Sequence, residues 1–277
     1  MKYSIGEFSD LLGITIDTIR LYETYGIISP NKDQKSHYRY FDDLDARNLL
    51  MSRWYRSLNF SLKVSAKFTL ESDYEEIYQQ IVKKQKALES ELEEKQYLLN
   101  RMNAIEAELK NLKCDLGQYK IVKKSKIYRV KQTIQDELID EGQSKKLIKS
   151  LMAALPHTFY SVTVDTKIFS NRNGMVEPNE EVDEYNWGLA IYEPDLDRLG
   201  FKDKSDFDSF EANEYLASTI CIEYDHKFQR CLFEPLYNEC IKLGFRVAGN
   251  LIGRLIVIEK VGEKRFSYIE IAIPIER

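Results

Sequence analysis

A stretch of 42 residues, 72–113, contains neither glycine nor proline and constrains the fold more than any other feature. Its apolar side chains recur at intervals of three, four or seven residues, which predicts one long helix with a single apolar seam. At 1.5 Å per residue this helix would be about 60 Å long. The seam consists of Tyr74, Tyr78, Ile81, Leu88, Leu92, Leu99, Met102 and Leu109. We expect it to pair with a second copy of the chain as an antiparallel coiled coil; packing against the C-terminal block is the alternative.

The long helix divides the 277-residue chain into three segments. We predict an N-terminal domain over 1–71, the dimerisation helix over 72–116 and a C-terminal domain over 117–277. The net charge of −5 hides an asymmetry, because residues 1–70 carry ten Lys and Arg against eight Asp and Glu. Exposed charges more than about 10 Å apart are largely screened in physiological salt. A locally basic surface can therefore attract phosphates despite the acidic remainder.

Several classes of protein are disfavoured by what the sequence lacks. No run approaches the 18 or so apolar residues of a membrane helix, and the first ten residues lack the apolar core of a signal peptide. We therefore expect a cytoplasmic protein without a membrane partner. The four cysteines form no CxxC pair, so we expect neither a metal nor another cofactor. Three histidines without a Ser-His-Asp or Cys-His arrangement give no support to an enzyme.

The N-terminal segment begins with two short helical patterns separated by a tight turn. Ser4 is placed to cap the first helix and Gly13 to end it, while Thr15 caps the second helix, which Gly26 ends. The apolar face of the first helix is Ile5, Phe8, Leu11 and Leu12. This arrangement predicts a helix-turn-helix, although the same pattern also fits an ordinary helical hairpin.

A basic segment over 27–41 follows the second helix and predicts a hairpin. Lys32 and Lys35 would attract phosphates without sequence preference, and Tyr38, Arg39 and Tyr40 supply donors suited to phosphate oxygens. Two more helices are predicted over 42–58 and 61–70. We expect their buried stripe to be Leu44, Leu49, Leu50, Trp54 and Leu58.

The C-terminal segment repeats the order strand, helix, strand, strand, with helices near 140–155 and 227–243. This order predicts an α+β domain with an antiparallel sheet and an internal pseudo-dyad. In the last strand Ile269, Ile271, Ile273 and Ile275 share the face expected to lie under the helices, so Tyr268 and Glu270 share the other. Glu270 is then a candidate counter-ion for a cationic ligand. The aromatic residues predicted to stack on that ligand are Phe159, Trp187, Tyr192, Tyr224 and Tyr268.

The N-terminal motifs resemble the MerR family of transcription regulators. The resemblance is carried by YSIGEFSDLLGITIDTIRLYETYGIISP and the following YRYF, with departures at Leu21, His37 and Asn59. It implies a winged helix-turn-helix in which the second helix faces the major groove, the hairpin and Tyr22 hold phosphates and Arg56 lies on the minor-groove side. The predicted DNA contacts are Thr15, Asp17, Thr18, Arg20, Tyr22, Lys35, His37, Tyr38, Arg39, Tyr40 and Arg56.

The C-terminal segment more weakly resembles the gyrase-inhibitor-like (GyrI-like) effector domains of multidrug-sensing members. That resemblance implies a buried glutamate that engages lipophilic cations; Glu270 fits the alternation best and Glu259 is the alternative. It further implies a homodimer on a pseudo-palindromic promoter, which bends and untwists the DNA for RNA polymerase when the effector binds. Two other readings stay open: a small hydrolase using Glu270 with Tyr268 or Tyr192, and a constitutive DNA-bending protein without an effector.

Overall fold

The computed structural model describes residues 2–32, 38–135, 137–139, 144–170, 182, 185–201, 204–224 and 228–277. The chain forms two compact units, Met1–Lys95 and Gln96–Arg277. The boundary between them falls inside the long helix. Each unit is therefore described by itself.

The N-terminal unit is helical apart from one short hairpin. Its elements are α1 (Ile5–Leu12), α2 (Ile16–Thr24), β1 (Asn31–Lys32), β2 (Arg39–Tyr40), α3 (Asp43–Ser57), α4 (Leu62–Leu70) and the start of α5 (Tyr74–Asp115). β1 pairs with β2 in antiparallel register, Asn31 opposite Tyr40. The two-helix motif, the hairpin and the long helix predicted from the sequence are thus all present.

The helix boundaries follow the predicted caps. The Ser4 hydroxyl accepts a hydrogen bond from the Glu7 backbone N–H, and the Glu7 carboxylate accepts from the Ser4 N–H in return, which is a capping box. Gly13 ends α1 with φ of 65°, and Thr15 caps α2. Asn59, in the turn between α3 and α4, has φ of 63°. Asparagine tolerates this left-handed conformation better than other side-chain-bearing residues, so it replaces glycine there at modest cost.

The core of the N-terminal unit corrects one prediction. Of the stripe expected along α3, only Leu49 is buried, whereas Leu44, Leu50, Trp54 and Leu58 are exposed. The buried face of α3 is instead Asp45, Leu49, Ser52 and Tyr55, rotated from the predicted face. Around Leu49 the core consists of Phe8, Ile19, Tyr22, Ile27, Ile28, Phe41 and Ala66. The prediction failed because Asp45 and Ser52 are polar, and an apolar count does not detect polar residues that face inward.

The C-terminal unit begins in α5 and continues as an antiparallel sheet with helices on one face. Its strands are β3 (Lys120–Lys124), β4 (Ile127–Lys131), β5 (Thr133–Ile134), β6 (Glu137–Leu138), β7 (Thr158–Val164), β8 (Tyr185–Tyr192), β9 (Asp208–Phe210), β10 (Asn213–Glu223), β11 (Arg246–Val247), β12 (Leu251–Val261) and β13 (Lys264–Glu276). Its helices after α5 are α6 (Ser144–Ala153), α7 (Lys167–Ser170), α8 (Glu193–Arg198) and α9 (Arg230–Lys242).

The main sheet has the order β3-β10-β13-β12-β7-β8-β4-β9, and β11 pairs with β13. The strands β10, β13 and β12 belong to the second half of the domain, and β7, β8 and β4 to the first. Within each half the middle position is held by the last strand in the chain, and the two halves meet at β12 and β7. This mirrored order confirms the internal repeat expected from the sequence.

The two faces of this sheet differ in what covers them. Ile269, Ile271, Ile273 and Ile275 pack with Phe233, Leu236 and Cys240 of α9, as predicted. Leu151 of α6 packs with Tyr128, Val130, Leu189 and Ile191 on the same side. The opposite face has its own apolar cluster of Ile127, Phe159, Ala190, Tyr215, Ala217, Ile252 and Ala272. The predicted ligand-binding residues Phe159, Tyr192 and Glu270 lie on this second face.

Candidate functional site

The polar face of α2 is presented to solvent. Thr15, Asp17 and Arg20 are exposed and Thr18 is half-buried, while Ile19 packs into the core below them. The Thr15 hydroxyl accepts from the Thr18 backbone N–H at 3.2 Å and lies 2.9 Å from the Thr18 hydroxyl. Capping therefore fixes the start of α2 and orients two of the predicted base-contacting side chains.

The hairpin is tied to α2 by an ion pair. Nη1 of Arg39 donates to the Glu23 carboxylate at 3.0 Å, and the rings of Tyr38 and Tyr40 lie 5.7 Å apart. Tyr38 and Arg39 are exposed and Tyr40 is half-buried. Arg39, Tyr38 and Tyr40 thus project from β2 at a position set by α2. The other two hairpin residues predicted to contact DNA, Lys35 and His37, lie outside the described residues.

Asp45 positions the entry to this hairpin and was missed by the sequence analysis. Its buried carboxylate accepts from the Ser29 backbone N–H at 2.8 Å and from the Asp42 N–H at 3.2 Å. The capping pattern Asp42-x-x-Asp45 was the available signal. Asp45 thereby joins the start of α3 to the segment that leads into β1.

The last two predicted DNA contacts, Tyr22 and Arg56, differ in burial. Tyr22 is buried in the core beside Phe8 and Ile19. Arg56 is exposed, and its Nη1 donates to the Phe60 carbonyl at 3.0 Å. Their roles toward DNA stay predictions.

Glu270 lies at the centre of a buried ion network in the C-terminal unit. Its carboxylate accepts from Lys124 Nζ at 2.9 Å, and Nε and Nη2 of Arg254 each lie 3.3 Å from the same oxygen. Nη1 of Arg254 also donates to the Glu108 carboxylate of α5 at 3.0 Å, and Nη2 makes a second contact to Glu108. The Glu270 and Arg254 side chains are only 19% and 16% exposed. Two carboxylates and two cations thus form a neutral cluster that joins α5 to the sheet.

The pKa directions agree with this geometry. Burial alone would raise the pKa of Glu270, but the attraction of Lys124 and Arg254 outweighs it and the pKa is lowered. Burial alone would lower the pKa of Arg254, but its hydrogen bonds to Glu108 and the attraction of Glu270 raise it. Glu270 and Arg254 are therefore both charged at neutral pH. A cavity of about 280 Å³ adjoins it, lined by Glu108, Asn111, Lys120, Thr219 and Glu270 among others.

The other residues predicted to bind ligand are distributed over both sheet faces. Phe159 and Tyr192 pack together on the same face as Glu270, with ring centroids 5.1 Å apart. The Tyr268 hydroxyl donates to Glu259 at 2.8 Å; that hydrogen bond, with burial, raises the pKa of Tyr268 to about 12. Trp187 instead packs on the helix-covered face, stacked on Tyr160.

The last of the predicted aromatics, Tyr224, is exposed, and the Arg265 guanidinium lies 4.1 Å from its ring centroid. The structure therefore brings together Phe159, Tyr192 and Glu270 but separates Trp187 from them.

The C-terminal half of α5 is anchored at a second place, to α8 and to the segment between α6 and β7. The Tyr97 hydroxyl donates to the Asp195 carboxylate of α8, and its ring stacks on His157 with centroids 3.9 Å apart. Burial and that hydrogen bond raise the pKa of Tyr97 to about 12. Nε of Arg101 donates to the Pro156 carbonyl at 3.1 Å. The sequence favoured a dimer seam for α5, with packing against the C-terminal block as the alternative, and it did not identify Tyr97, Glu108, Lys124 or Arg254 as contacts.

Two features are absent from the described residues. Among them, no helix is both long and apolar enough to cross a bilayer. Nor do the described His, Cys, Asp and Glu side chains form a group of three or more that would hold a metal ion.

A helix-turn-helix with an exposed polar second helix and a basic hairpin defines a DNA-binding type of domain. Residues 4–41 match the family model described as MerR family regulatory protein. The match covers the helix-turn-helix and the hairpin that follows it.

Two curated relatives match a short part of the chain. The HTH-type transcriptional activators TipA of Streptomyces coelicolor and Streptomyces lividans are each 31% identical over 62 residues, which is 22% of this chain. The matched part of this chain spans about a quarter of the length of those relatives, 24%.

Among solved structures, a MerR family regulator from Bacillus cereus is 20% identical over 40% of this chain and 84% of its own, with a TM-score of 0.33. The EcmrR–DNA complex in EcmrR-RPo, solved by cryo-EM, is 15% identical over 99% of this chain and all of its own, with a TM-score of 0.37. These TM-scores are too low to establish a shared fold for the whole chain.

Proposed function

We propose that this chain is a DNA-binding transcription activator that works as a homodimer and responds to a small lipophilic molecule. The observation that carries the proposal is the MerR-type helix-turn-helix, whose second helix presents Thr15, Asp17 and Arg20 to solvent. In helix-turn-helix proteins the second helix lies in the major groove and its N-terminal residues contact base edges. Thr15, Asp17 and Thr18 lie at that end of α2.

The division of labour between α2 and the hairpin follows from their chemistry. A guanidinium pairs with a guanine edge through two hydrogen bonds, which suits Arg20 for base readout. Tyr38, Arg39 and Tyr40 suit phosphate oxygens, which fix the register of a protein on the duplex. The ion pair with Glu23 ties Arg39 of the hairpin to α2.

A second copy of the chain is proposed to cover the apolar residues left exposed along α5 and on α3. These residues are Leu88, Leu92, Leu99 and Met102 on α5 and Leu50, Met51 and Trp54 on α3. Exposed apolar side chains in a row mark an interface, and a seam with this spacing suits a coiled coil. A twofold dimer would match a pseudo-palindromic promoter.

Activation is proposed to work by distortion of the promoter DNA, which realigns its elements for RNA polymerase. The relatives named TipA are activators, which supports this direction of control. Bending a site of 20–30 base pairs costs on the order of 1–6 kcal/mol. An effector that binds one dimer conformation more tightly than another by a few kcal/mol would supply this difference.

The proposed link between effector and DNA is α5. Arg254 contacts both Glu270 on β13 and Glu108 on α5. Because Lys124 and Arg254 already neutralise Glu270, a cationic effector would bind there only by displacing one of them. Displacement of Arg254 would release Glu108 at the same time. In this proposal, a cation that displaces Arg254 also breaks the contact between Arg254 and Glu108 of α5. Because α5 begins in the N-terminal unit, the change can reach the DNA-binding helices.

The test begins with DNA selection. Double-stranded oligonucleotides selected by the purified full chain are expected to share a twofold-symmetric site. Arg20→Ala is expected to weaken binding to that site by about tenfold or more, because a base contact is lost. The matched control is Arg246→Ala, an exposed arginine of the C-terminal unit, which is expected to leave DNA affinity unchanged. Selection of no common sequence, or equal affinity of Arg20→Ala and the control, would contradict the proposal.

Transcription from the selected site then separates the alternatives. With a lipophilic compound that binds the chain, the amount of transcript is expected to rise while DNA affinity changes little. Transcription that never depends on such compounds would favour a constitutive DNA-bending protein. Chemical conversion of the compound by the chain would favour a hydrolase.

A further inference from the structure

A cavity of about 820 Å³ lies on the sheet face opposite α6 and α9, separate from the cluster around Glu270. Its walls come from β4, β7, β8, β9, β10 and the end of β13. Phe210, Tyr215 and Pro274 give it an apolar side, and Arg129, Lys131 and Asn186 give it a polar one. A cavity with an apolar wall and a few converging polar groups is the usual form of a small-molecule site.

Arg129 is the unusual residue of this cavity, because its side chain is almost wholly buried. Its Nε donates to the Ser161 hydroxyl at 2.8 Å and its Nη2 donates to the Asn186 carbonyl at 2.9 Å. Both partners are neutral. Among the described residues the ion pair of Arg129 is with Asp208, at 4.0 Å from Nη1, and the Asp208 side chain is 65% exposed against 2% for Arg129.

The charge of Arg129 is therefore only weakly compensated. A guanidinium carries five N–H donors, and the hydrogen bonds to Ser161 and Asn186 use two of them. At 4.0 Å the Asp208 carboxylate attracts Nη1 but is beyond hydrogen-bond distance. Burial lowers the pKa of Arg129 to about 10 against the attraction of Asp208. A buried cation without a close carboxylate is costly, and an anion that reached it would remove that cost.

The backbone beside Arg129 is shaped to admit the guanidinium. A Cβ atom built on Gly188 of β8 would lie 2.9 Å from Nη2 of Arg129 and 2.3 Å from the Val130 carbonyl oxygen. Gly188 is therefore the residue that lets the guanidinium lie flat against β8. The serine, the backbone carbonyl and the glycine together hold Arg129 in one orientation.

The other carboxylates that line the cavity do not neutralise the charge of Arg129. Glu211 pairs with Lys126 at 2.7 Å and is itself largely exposed. Glu276 pairs with Arg246, also at the surface. Asp208 is left as the loose partner of Arg129. Among the described residues, the carboxylates that oppose this positive charge lie at the rim of the cavity.

We propose that Arg129 binds the acidic group, a carboxylate or a phosphate, of a lipophilic effector whose apolar part lies against Phe210 and Tyr215. The guanidinium fork matches two oxygens of either group. This inference rests on the proposed effector function of the C-terminal unit. It adds that the effector carries an acidic group. It differs from the cation expected at Glu270 both in charge and in place.

The test compares four probes of one shape: naphthoate, naphthamide, naphthyl phosphate and naphthyltrimethylammonium. Their binding to the full chain is measured by calorimetry. We expect naphthoate to bind at least about ten times more tightly than naphthamide, because a charge-assisted bidentate contact is stronger than a neutral one. Naphthyl phosphate, compared with naphthoate, tells which acidic group the site prefers.

Three variants locate the effect. Arg129→Met is expected to fold, because it removes a buried charge together with its desolvation cost, and to bind naphthoate and naphthamide equally. Arg129→Lys keeps the charge but loses the fork, so it is expected to retain part of the preference. Lys242→Met, an exposed lysine on α9, is the control and is expected to keep the whole preference.

The outcomes separate this inference from the proposed function. A preference for naphthoate that survives Arg129→Met would overturn the assignment, as would equal binding of naphthoate and naphthamide by the unaltered chain. Binding of the ammonium probe alone, lost in Glu270→Gln, would also overturn it and would leave the cation-responsive regulator standing. In a further outcome, Arg129→Met abolishes the preference for naphthoate while naphthoate itself has no effect on transcription. That result would support the anion site and would contradict its role in binding an effector.

Discussion

The two units use arginine in opposite ways. In the N-terminal unit Arg20 and Arg39 are exposed, and each has one carboxylate partner that is also close to the surface. In the C-terminal unit Arg129 and Arg254 are buried and held by several groups each. Exposed cations act on a polyanion through additive, salt-dependent attraction. Buried cations act at short range on one group in one geometry, which suits recognition of a small molecule.

The largest loss of stability is expected for Arg254→Met. Removing this guanidinium leaves Glu108 without its ion pair and Glu270 with Lys124 only, so the C-terminal unit is expected to lose about 3–5 kcal/mol. Arg246→Met is the matched control, because the Arg246–Glu276 pair is exposed and is expected to contribute less than about 1 kcal/mol.

Denaturant unfolding of each unit can be followed separately. The chain has two tryptophans, Trp54 in the N-terminal unit and Trp187 in the C-terminal unit. In a Trp54→Phe background the remaining fluorescence reports the C-terminal unit alone. Equal losses for Arg254→Met and Arg246→Met would mean that burial does not distinguish the two kinds of arginine.

Sequence reasoning predicted the elements of this fold well, because each has a local signal. The caps Ser4, Gly13 and Thr15, the unbroken helix and the alternating isoleucines of β13 are all short-range patterns. The burial pattern of α3 was wrong because its buried face includes the polar residues Asp45 and Ser52.

The candidate site was less predictable, because it depends on strand register. Arg254 meets Glu270 since the two are register partners on β12 and β13. Lys124 reaches the same carboxylate from a strand two positions away in the sheet order. Neither pairing follows from spacing along the chain. Arg129 of β4 lies about 60 residues before its neighbours Asn186 and Gly188 of β8, and it carried no local signal of its own.

A second substitution compares glycines in the two units. Gly188→Ala would place a Cβ against Arg129 and the Val130 carbonyl, and we expect the C-terminal unit to lose about 1–3 kcal/mol. Gly6→Ala adds a Cβ in α1 where no atom lies within 4 Å, and we expect the N-terminal unit to gain about 0.5 kcal/mol. Denaturant unfolding in Trp54→Phe and Trp187→Phe backgrounds measures each change. A neutral Gly188→Ala would mean that the packing of Arg129 against β8 is loose.

The smallest effect concerns the pH dependence of stability, and it compares Glu270 with Glu7. Both have lowered pKa values, Glu270 through Lys124 and Arg254 and Glu7 through its hydrogen bonds with Ser4. A carboxyl whose pKa is lower in the folded state stabilises the fold above its ordinary value of 4.5 and loses that contribution as the pH falls through the folded value. Only Glu270 is buried.

We therefore expect the C-terminal unit to lose stability below about pH 4.5 more steeply in the unaltered chain than in Glu270→Gln. At pH 7 this variant is expected to cost less than the other two changes in the C-terminal unit, because the amide oxygen still accepts a hydrogen bond from Lys124 or Arg254. Glu7→Gln in the N-terminal unit is expected to change the acid limb little, because exposed charges are screened by solvent. Unfolding midpoints from pH 3 to pH 7 measure both slopes. Parallel curves of unfolding midpoint against pH for Glu270→Gln and the unaltered chain would mean that water reaches the cluster around Glu270. The contrast between exposed and buried charges would then rest on Arg129 alone.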